Sequence, residues 1–240
     1  MLVSLNAISK PQTLTEALEK LKQPEVRPLY GGGLVRANST ETEEAVDLSG
    51  CGLDKIELID NTLSIGGAAR LESIVAFCAD LRGEVAHSLA EILKQEAPIT
   101  LRNALALGDV LTEANPASPL RTWLTALDTR IKLVTHTIAV GQLIEAIHVQ
   151  LDTAAEQTQF GFAKVARTPS DTPIVCTVAW KEGKQEQVAI GGLMLDPLLY
   201  QPGMPSQYED WLGSAEYRTA IAPILVHRAR QYNGTQPIRS

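Results

Sequence analysis

The chain is poor in cysteine. Cys51, Cys78 and Cys176 are its only three, and no two of them form a C-x-x-C pair. That spacing argues against a disulfide framework, and three thiolates cannot supply the four that an iron–sulfur cluster takes. The thiols read as small buried hydrophobes. Positive charge is also scarce, with 21 Lys and Arg against 28 Asp and Glu for a net charge of −7. No basic block stands out, which argues against a nucleic-acid partner. No apolar run approaches the length of a membrane span. The amino terminus lacks a charged segment followed by an apolar core, so a cytoplasmic location is the expectation. His87, His136, His148 and His227 are scattered. No nucleophile, acid–base or metal-ligand constellation is apparent, and no catalytic or metal residue is assigned.

What remains is an ordinary globular composition, 240 residues with 45% hydrophobic and 20% charged content. That is enough chain for one large domain or two modest ones. Thr13-Leu14-Thr15-Glu16 has capping-box spacing, with Leu14, Ala17, Leu18 and Leu21 as an apolar stripe behind it. Val46-Asp47-Leu48 is a short strand candidate. Ile56–Ile59 and Thr62–Ile65 flank Asp60-Asn61, which predicts a hairpin with a two-residue turn. Leu71 to Leu81 reads as a helix. Ser88-Leu89-Ala90-Glu91 has capping-box spacing and predicts a helix start at that point. A helix over 120–127, a strand over 131–134 and a hairpin within 137–147 follow. The polar stretch 152–159 suggests a domain boundary. Beyond it, a strand over 174–180, a turn over 181–184 and a strand over 187–191 are expected. The last helix runs from Ser214 to about Arg230, with Pro223 expected to bend or interrupt it. Helices and strands interleave, so the class is α+β with two or three small lobes.

Two glycine segments, about seventy-five residues apart, carry the functional signal. The first is Leu29-Tyr30-Gly31-Gly32-Gly33-Leu34-Val35 and the second is Leu105-Ala106-Leu107-Gly108-Asp109-Val110-Leu111. Glycine lets a backbone turn sharply and approach a phosphate with its N–H groups. Each segment is readable either as such a nest or as a plain tight turn. A nest at the first alone would suit a smaller ligand such as a mononucleotide.

The order of segments resembles the FAD-binding medium subunit of the molybdenum hydroxylases, a family that includes xanthine dehydrogenase and the flavoprotein subunit of carbon-monoxide dehydrogenase. The residues that carry it are Pro11, Thr13, Leu14, Glu16, Ala17 and Leu18, then Leu29-Tyr30-Gly31-Gly32, Val46-Asp47-Leu48 with Gly52-Leu53, and Ile65-Gly66-Gly67-Ala68. Leu101-Arg102-Asn103 leads into the second loop. Phe162 to Arg167, Ala189-Ile190-Gly191-Gly192, Gly213 to Arg218 and Leu225 to Ala229 resemble the small C-terminal domain. The resemblance implies a two-lobed FAD-binding domain, with lobes at 1–54 and 55–151, and a small α+β C-terminal flavoprotein domain at 152–240. It implies FAD held at Gly31, Gly32, Gly33, Leu34, Val35, Leu107 and Gly108. It also implies an oxidoreductase subunit that relays electrons from an iron–sulfur partner, itself fed by a molybdopterin subunit, to an acceptor.

The chain departs from that pattern at the flavin loops. Gly33 and Leu34 stand where the family has a hydroxyl and a polar residue. Ala106-Leu107-Gly108-Asp109-Val110 stands where it reads Thr-Ile-Gly-Gly-Asn, and Pro119 replaces an aspartate. A carboxylate about 5 Å from a phosphate charge costs about 1–3 kcal/mol at an effective dielectric of 20 to 80. These departures motivate a second expectation from another class, a non-catalytic relative that kept the fold, lost FAD and serves as a scaffold or assembly subunit. Tyr217 and Arg218 are expected to pack and form salt bridges, with a role at a partner surface as the alternative.

Overall fold

The computed structural model describes residues 7–31, 44–139, 141–153, 157–232 and 234–235. In chain order the elements are β1 (Ala7–Ser9), α1 (Leu14–Lys20), β2 (Val26–Leu29), β3 (Glu44–Asp47), β4 (Ile56–Ile59), β5 (Thr62–Gly66), α2 (Leu71–Ala79), α3 (Glu84–Glu96), α4 (Ile99–Arg102), α5 (Leu107–Thr112), α6 (Pro119–Ala126), β6 (Ile131–Ile138), β7 (Gly141–Gln150), β8 (Thr158–Val165), β9 (Val175–Glu182), β10 (Gln185–Gly191), β11 (Leu198–Leu199), α7 (Ala215–Ala229) and β12 (Gly234–Thr235). The class is α+β, as expected. Among the described residues no helix is long and apolar enough to cross a membrane. The chain divides into two compact units.

The first unit comprises residues 1–74, 100–113 and 132–149. It holds a three-stranded sheet in the order β1-β3-β2, with both outer strands parallel to β3. It also holds a four-stranded sheet in the order β4-β5-β7-β6. Local chemistry sets its early elements. Thr13 caps α1 by accepting the Glu16 N–H at 3.2 Å, and the Glu16 carboxylate reaches back to the Gln12 N–H at 3.0 Å. Asp60 and Asn61 take positive φ of 45° and 64°. Both left-handed residues match a tight hairpin turn and set the register Ile59↔Thr62 to Ile56↔Ile65. Ala17, Leu21, Val26, Tyr30, Val46, Leu48, Leu53, Ala106 and Leu143 share one apolar core.

The second unit comprises residues 75–99, 114–131 and 150–240. Its sheet runs β11-β10-β9-β8-β12, antiparallel except where β12 joins β8. α7 packs on β8 and β9, while α6 packs on β9, β10 and α3. β9 is buried from Val175 to Trp180, the signature of a strand covered on both faces.

One expectation is corrected in this unit and another is narrowed. Ser88 does not start a helix; α3 begins four residues earlier, at Glu84. Its first turn is capped from a distance, since the Asp152 carboxylate accepts the Glu84 and Val85 N–H groups at 2.7 and 3.1 Å. Ser88 lies inside the helix, where its hydroxyl donates to Val85 O at 2.9 Å and accepts the Trp123 indole N–H at 2.9 Å. Pro223 does not interrupt α7, which runs through it. Ser214 caps its N-terminus, and Ala222, Leu225, Val226 and Ala229 bury one face against the sheet. That packing outweighs the one backbone hydrogen bond that proline removes.

Candidate functional site

The second glycine segment is not an open loop. Residues 107–112 form α5, and Ala106 stands just before it in extended conformation. The turn after β5 straps it from below. Leu107 donates its N–H to Ala69 O at 2.9 Å, Gly108 donates to Gly67 O at 2.7 Å, and Leu71 donates to Leu105 O at 3.1 Å. The Ala106 N–H is taken by the Asp109 carboxylate at 2.9 Å. Three consecutive N–H groups that a phosphate would use therefore have acceptors within the protein.

The first segment meets the second through Tyr30, which is 2% exposed. Its hydroxyl accepts the Ile144 N–H at 2.5 Å. The ring lies flush against two glycines. A Cβ on Gly108 would stand 2.3 Å from Tyr30 Cε1, and a Cβ on Gly67 would stand 3.1 Å from the same atom and 2.1 Å from Ile144 O. Both glycines are thus required by the close approach of the ring and of β7, before any ligand is considered. Burial pushes the Tyr30 phenol well above its ordinary value, with the Ile144 N–H opposing and the Asp109 charge adding to the rise. The ring is a neutral wedge at any physiological pH.

Arg70 completes the group. A Cβ on Gly31 would stand 2.9 Å from its guanidinium carbon, so the cation lies directly beside the first glycine of the first segment. Arg70 also donates a hydrogen bond to Ala104 O and forms a β-bridge with Ala106, at the entrance of the second segment. Asp109 lies within this frame. Burial raises its carboxyl above the ordinary carboxylate range. The Ala106 N–H, the Arg70 charge and the Tyr30 backbone N–H oppose the rise, and Glu113 adds to it. Asp109 holds the Ala106 N–H and lies in the field of one cation and one further anion.

Of the residues proposed from sequence to hold a cofactor, Gly31, Leu107 and Gly108 come together around Tyr30 and Arg70. Gly32, Gly33, Leu34 and Val35 lie outside the described residues. Val110 is buried at 5% exposure on the helix that carries Asp109. Pro119 is the first residue of α6, in the other unit, where a ring suits a helix start. Sequence reasoning gave no role to Arg70 or to the Tyr30 side chain. The only signal for Arg70 was a lone cation three residues after Gly66-Gly67.

The C-terminal motif forms a different kind of centre. Arg218 is 1% exposed. Its guanidinium donates to Gly213 O at 3.0 Å, Gly192 O at 3.0 Å, Ile174 O at 2.5 Å and the Asp210 carboxylate at 2.5 Å, and it lies 5.0 Å from the Tyr208 ring centre. This is the expected structural role, with Tyr217 left exposed at 42%. The cysteines are free, and burial pushes Cys78 and Cys176 up to about 12, which leaves them inert thiols. Among the described residues no cluster of three or more metal-ligating side chains occurs.

Residues 4–157 match the family described as the FAD binding domain in molybdopterin dehydrogenase. No curated protein matches the sequence. Among solved structures, the chain is similar to a carbon monoxide dehydrogenase from Hydrogenophaga pseudoflava, described as lacking the Mo-pyranopterin moiety of the molybdenum cofactor. The TM-score is 0.80 at 16% identity, over 97% of this chain and 98% of that one. Reconstituted CO dehydrogenase from Oligotropha carboxidovorans gives 0.80 at 17% identity, over 97% and 98%. Quinoline 2-oxidoreductase from Pseudomonas putida 86 gives 0.74 at 17% identity, over 96% and 99%. At such identities the likeness shows a shared fold along nearly the whole chain.

Proposed function

The chain belongs to the family of FAD-binding domains in molybdopterin dehydrogenase, and on that premise we propose that it serves as the flavoprotein subunit of a molybdenum-hydroxylase-type oxidoreductase. One observation carries this reading: two glycine segments far apart in sequence converge on one place, with a guanidinium beside them. Gly31 to Val35 would hold one side of the pyrophosphate; Leu107 and Gly108 would only line the other, since their N–H groups are taken by Ala69 O and Gly67 O. Arg70 fits the group by charge, since a guanidinium beside a glycine backbone suits phosphate oxygens. Bound there, FAD supplies the redox chemistry that relays electrons from an iron–sulfur partner to an acceptor. The chain's own part is binding, orientation and electrostatics. The solved relatives are named as molybdenum or CO-oxidising enzymes, which supports a molybdopterin subunit as the further partner. The division into lobes at 1–54 and 55–151 and a C-terminal domain at 152–240 belongs to the same proposal.

Asp109 opposes it. Its carboxylate already takes the Ala106 N–H, and the Leu107 and Gly108 N–H groups have carbonyl partners; this favours a second reading, a non-catalytic scaffold or assembly subunit that has no flavin. An absorbance spectrum of the purified protein, taken after incubation with FAD and desalting, separates the two. Visible flavin bands that stay with the protein support the flavoprotein subunit. A protein that stays colourless, and that does not quench FAD fluorescence at equilibrium, favours the scaffold.

A further inference from the structure

We propose that the outer face of α7 is a self-association surface, on which a second copy of this chain packs its own α7 antiparallel. The surface involves no residue of the glycine segments, so it holds whether or not flavin binds. α7 lies on β8 and β9 and buries Ala222, Leu225, Val226 and Ala229 against that sheet. The opposite face of a helix that covers a sheet ordinarily carries charged and polar side chains. α3 follows that pattern, and its exposed positions are His87 and Lys94. In α7 the middle of the outer face is apolar. Tyr217 is 42% exposed and Ile224 47%, and Ala220 and Pro223 are exposed between them. The charged side chains of this face stand at its two ends, Glu216 in the first turn and His227 and Arg228 in the last.

The face is complementary to itself. Tyr217, Ala220, Ile224 and His227 follow the three-and-four spacing of a seam between two helices. Positions 216 and 228, 217 and 227, and 220 and 224 are each symmetric about 222. A two-fold axis level with Ala222 therefore sets Tyr217 of one copy against His227 of the other, and Ala220 against Ile224. The small side chain faces the large one, which lets the helix axes approach to about 8–10 Å. At each end Glu216 of one copy meets the His227–Arg228 end of the other, and the two helix dipoles run in opposite directions. Parallel packing would instead set Glu216 on Glu216 and Arg228 on Arg228. A partner of different sequence needs no such symmetry, whereas a two-fold contact between identical chains requires it. One helix face makes a small interface, of the class that associates weakly, so the dimer should dissociate in roughly the micromolar range.

The test is sedimentation equilibrium of the purified full chain from about 1 to about 300 μM, a range that brackets weak association. Circular dichroism checks that each variant is folded. The wild type should pass from monomer to dimer over this range. Ile224→Glu, at an exposed position, should weaken association by roughly tenfold or more, because it sets a carboxylate against Ala220 of the other copy. Glu216→Lys and Arg228→Glu should each weaken it by roughly tenfold, because like charges then meet at both ends. Mixing these two single variants in equal amounts should restore association to near the wild-type level, since the mixed pair has opposite charges at both ends. Neither general stickiness nor a weakened helix reproduces that recovery. A chain that stays monomeric at every concentration overturns the proposal and leaves this face to a different protein. A dimer that tolerates Ile224→Glu, or that the two charge variants fail to weaken alone and restore together, has its contact elsewhere and overturns the proposal as well. None of these outcomes bears on FAD binding, which the absorbance spectrum decides separately.

Discussion

Asp109 and Arg218 are both charged side chains that hold loops together through backbone atoms, and they do it with different degrees of closure. Arg218 is fully buried, and its donors are met by three carbonyls and by the Asp210 carboxylate, which cancels its charge. The acceptors come from Ile174, Gly192 and Gly213, so one guanidinium joins three separate turns of the second unit. Nothing further could bind there without taking the cage apart. Asp109 is half-buried and takes one backbone N–H, that of Ala106, with the Arg70 charge favouring its ionised form and Glu113 opposing it. A matched, buried ion joins distant parts of a fold, whereas a partly matched one, on the backbone of Ala106, serves its own short helix.

The comparison breaks most visibly at Arg218. Arg218→Met takes the donor from the buried carbonyls of Ile174 and Gly192 and from Gly213 O, and takes the cation from the Asp210 carboxylate, which keeps only the Leu212 and Gly213 N–H groups and the Tyr208 hydroxyl. Loss of one member of a buried pair costs about 3–5 kcal/mol, and the midpoint of urea unfolding should drop accordingly. A loss below about 1 kcal/mol, within the range of an exposed pair, would show that the cage is not what holds the C-terminal unit. A smaller but clear effect is expected at the other centre. In Gly108→Ala the added methyl would stand 2.3 Å from the buried Tyr30 ring. Overpacking of this kind costs about 1–3 kcal/mol, and the Tyr30 hydroxyl should lose its bond to Ile144. A neutral outcome in the same urea series would mean that the ring moves freely, and that Gly108 is glycine for another reason.

The difference between the centres also explains what could be read from the residues alone. Elements set by neighbours in sequence were legible. Thr13 and Ser214 cap the helices that follow them, and Asp60-Asn61 dictates the hairpin register. Elements set by distant partners were not. Ser88 is spelled like a helix cap, but Asp152 caps α3 from 68 positions away and leaves Ser88 to the Trp123 indole. The site divides in the same way. The glycine pattern pointed to the right backbone segments, and Asp109 was visible as a carboxylate among them. Its surroundings could not be foreseen, because the Tyr30 ring against Gly108 comes from the other segment and the Arg70 cation comes from the turn after β5. Short segments such as α5, six residues with a glycine second, carry too little periodicity to be read as helices.

The pH dependence of stability sharpens the contrast, because the two carboxylates pull in opposite directions. The Arg218 guanidinium and the Leu212 and Gly213 N–H groups hold Asp210 below its ordinary value in spite of burial. Its contribution is present above the ordinary carboxylate value and is lost as pH falls through the lowered one. Asp109 is raised. Its ionisation penalises the folded state, so that stability falls as pH rises from the ordinary value through the raised one, and is regained on acidification. Urea midpoints against pH should therefore change slope in Asp109→Asn on the less acid side of the ordinary carboxylate value. In Asp210→Asn the slope should change on the more acid side. If both variants altered the same window in the same direction, the two centres would be alike and the distinction between a matched cage and a partly matched cap would fail.

The smallest expected effect sets the scale for the others. Arg121 pairs with Asp196, whose side chain is 76% exposed, and it also donates to Asn115 O at 3.3 Å. This pair has a cation and an anion in contact, as the Arg218 cage does, but the carboxylate is largely exposed to solvent, and among the described residues no backbone N–H is seen to donate to it. Asp196→Ala should then change stability by no more than about 0.5 kcal/mol, the usual range for exposed pairs, and should leave FAD titrations unchanged at every pH. A loss comparable to that of Arg218→Met would mean that ion contact alone, irrespective of burial and of the carbonyls it serves, decides stability in this unit. The Arg218 cage would then owe its weight to Asp210 rather than to the three turns it joins.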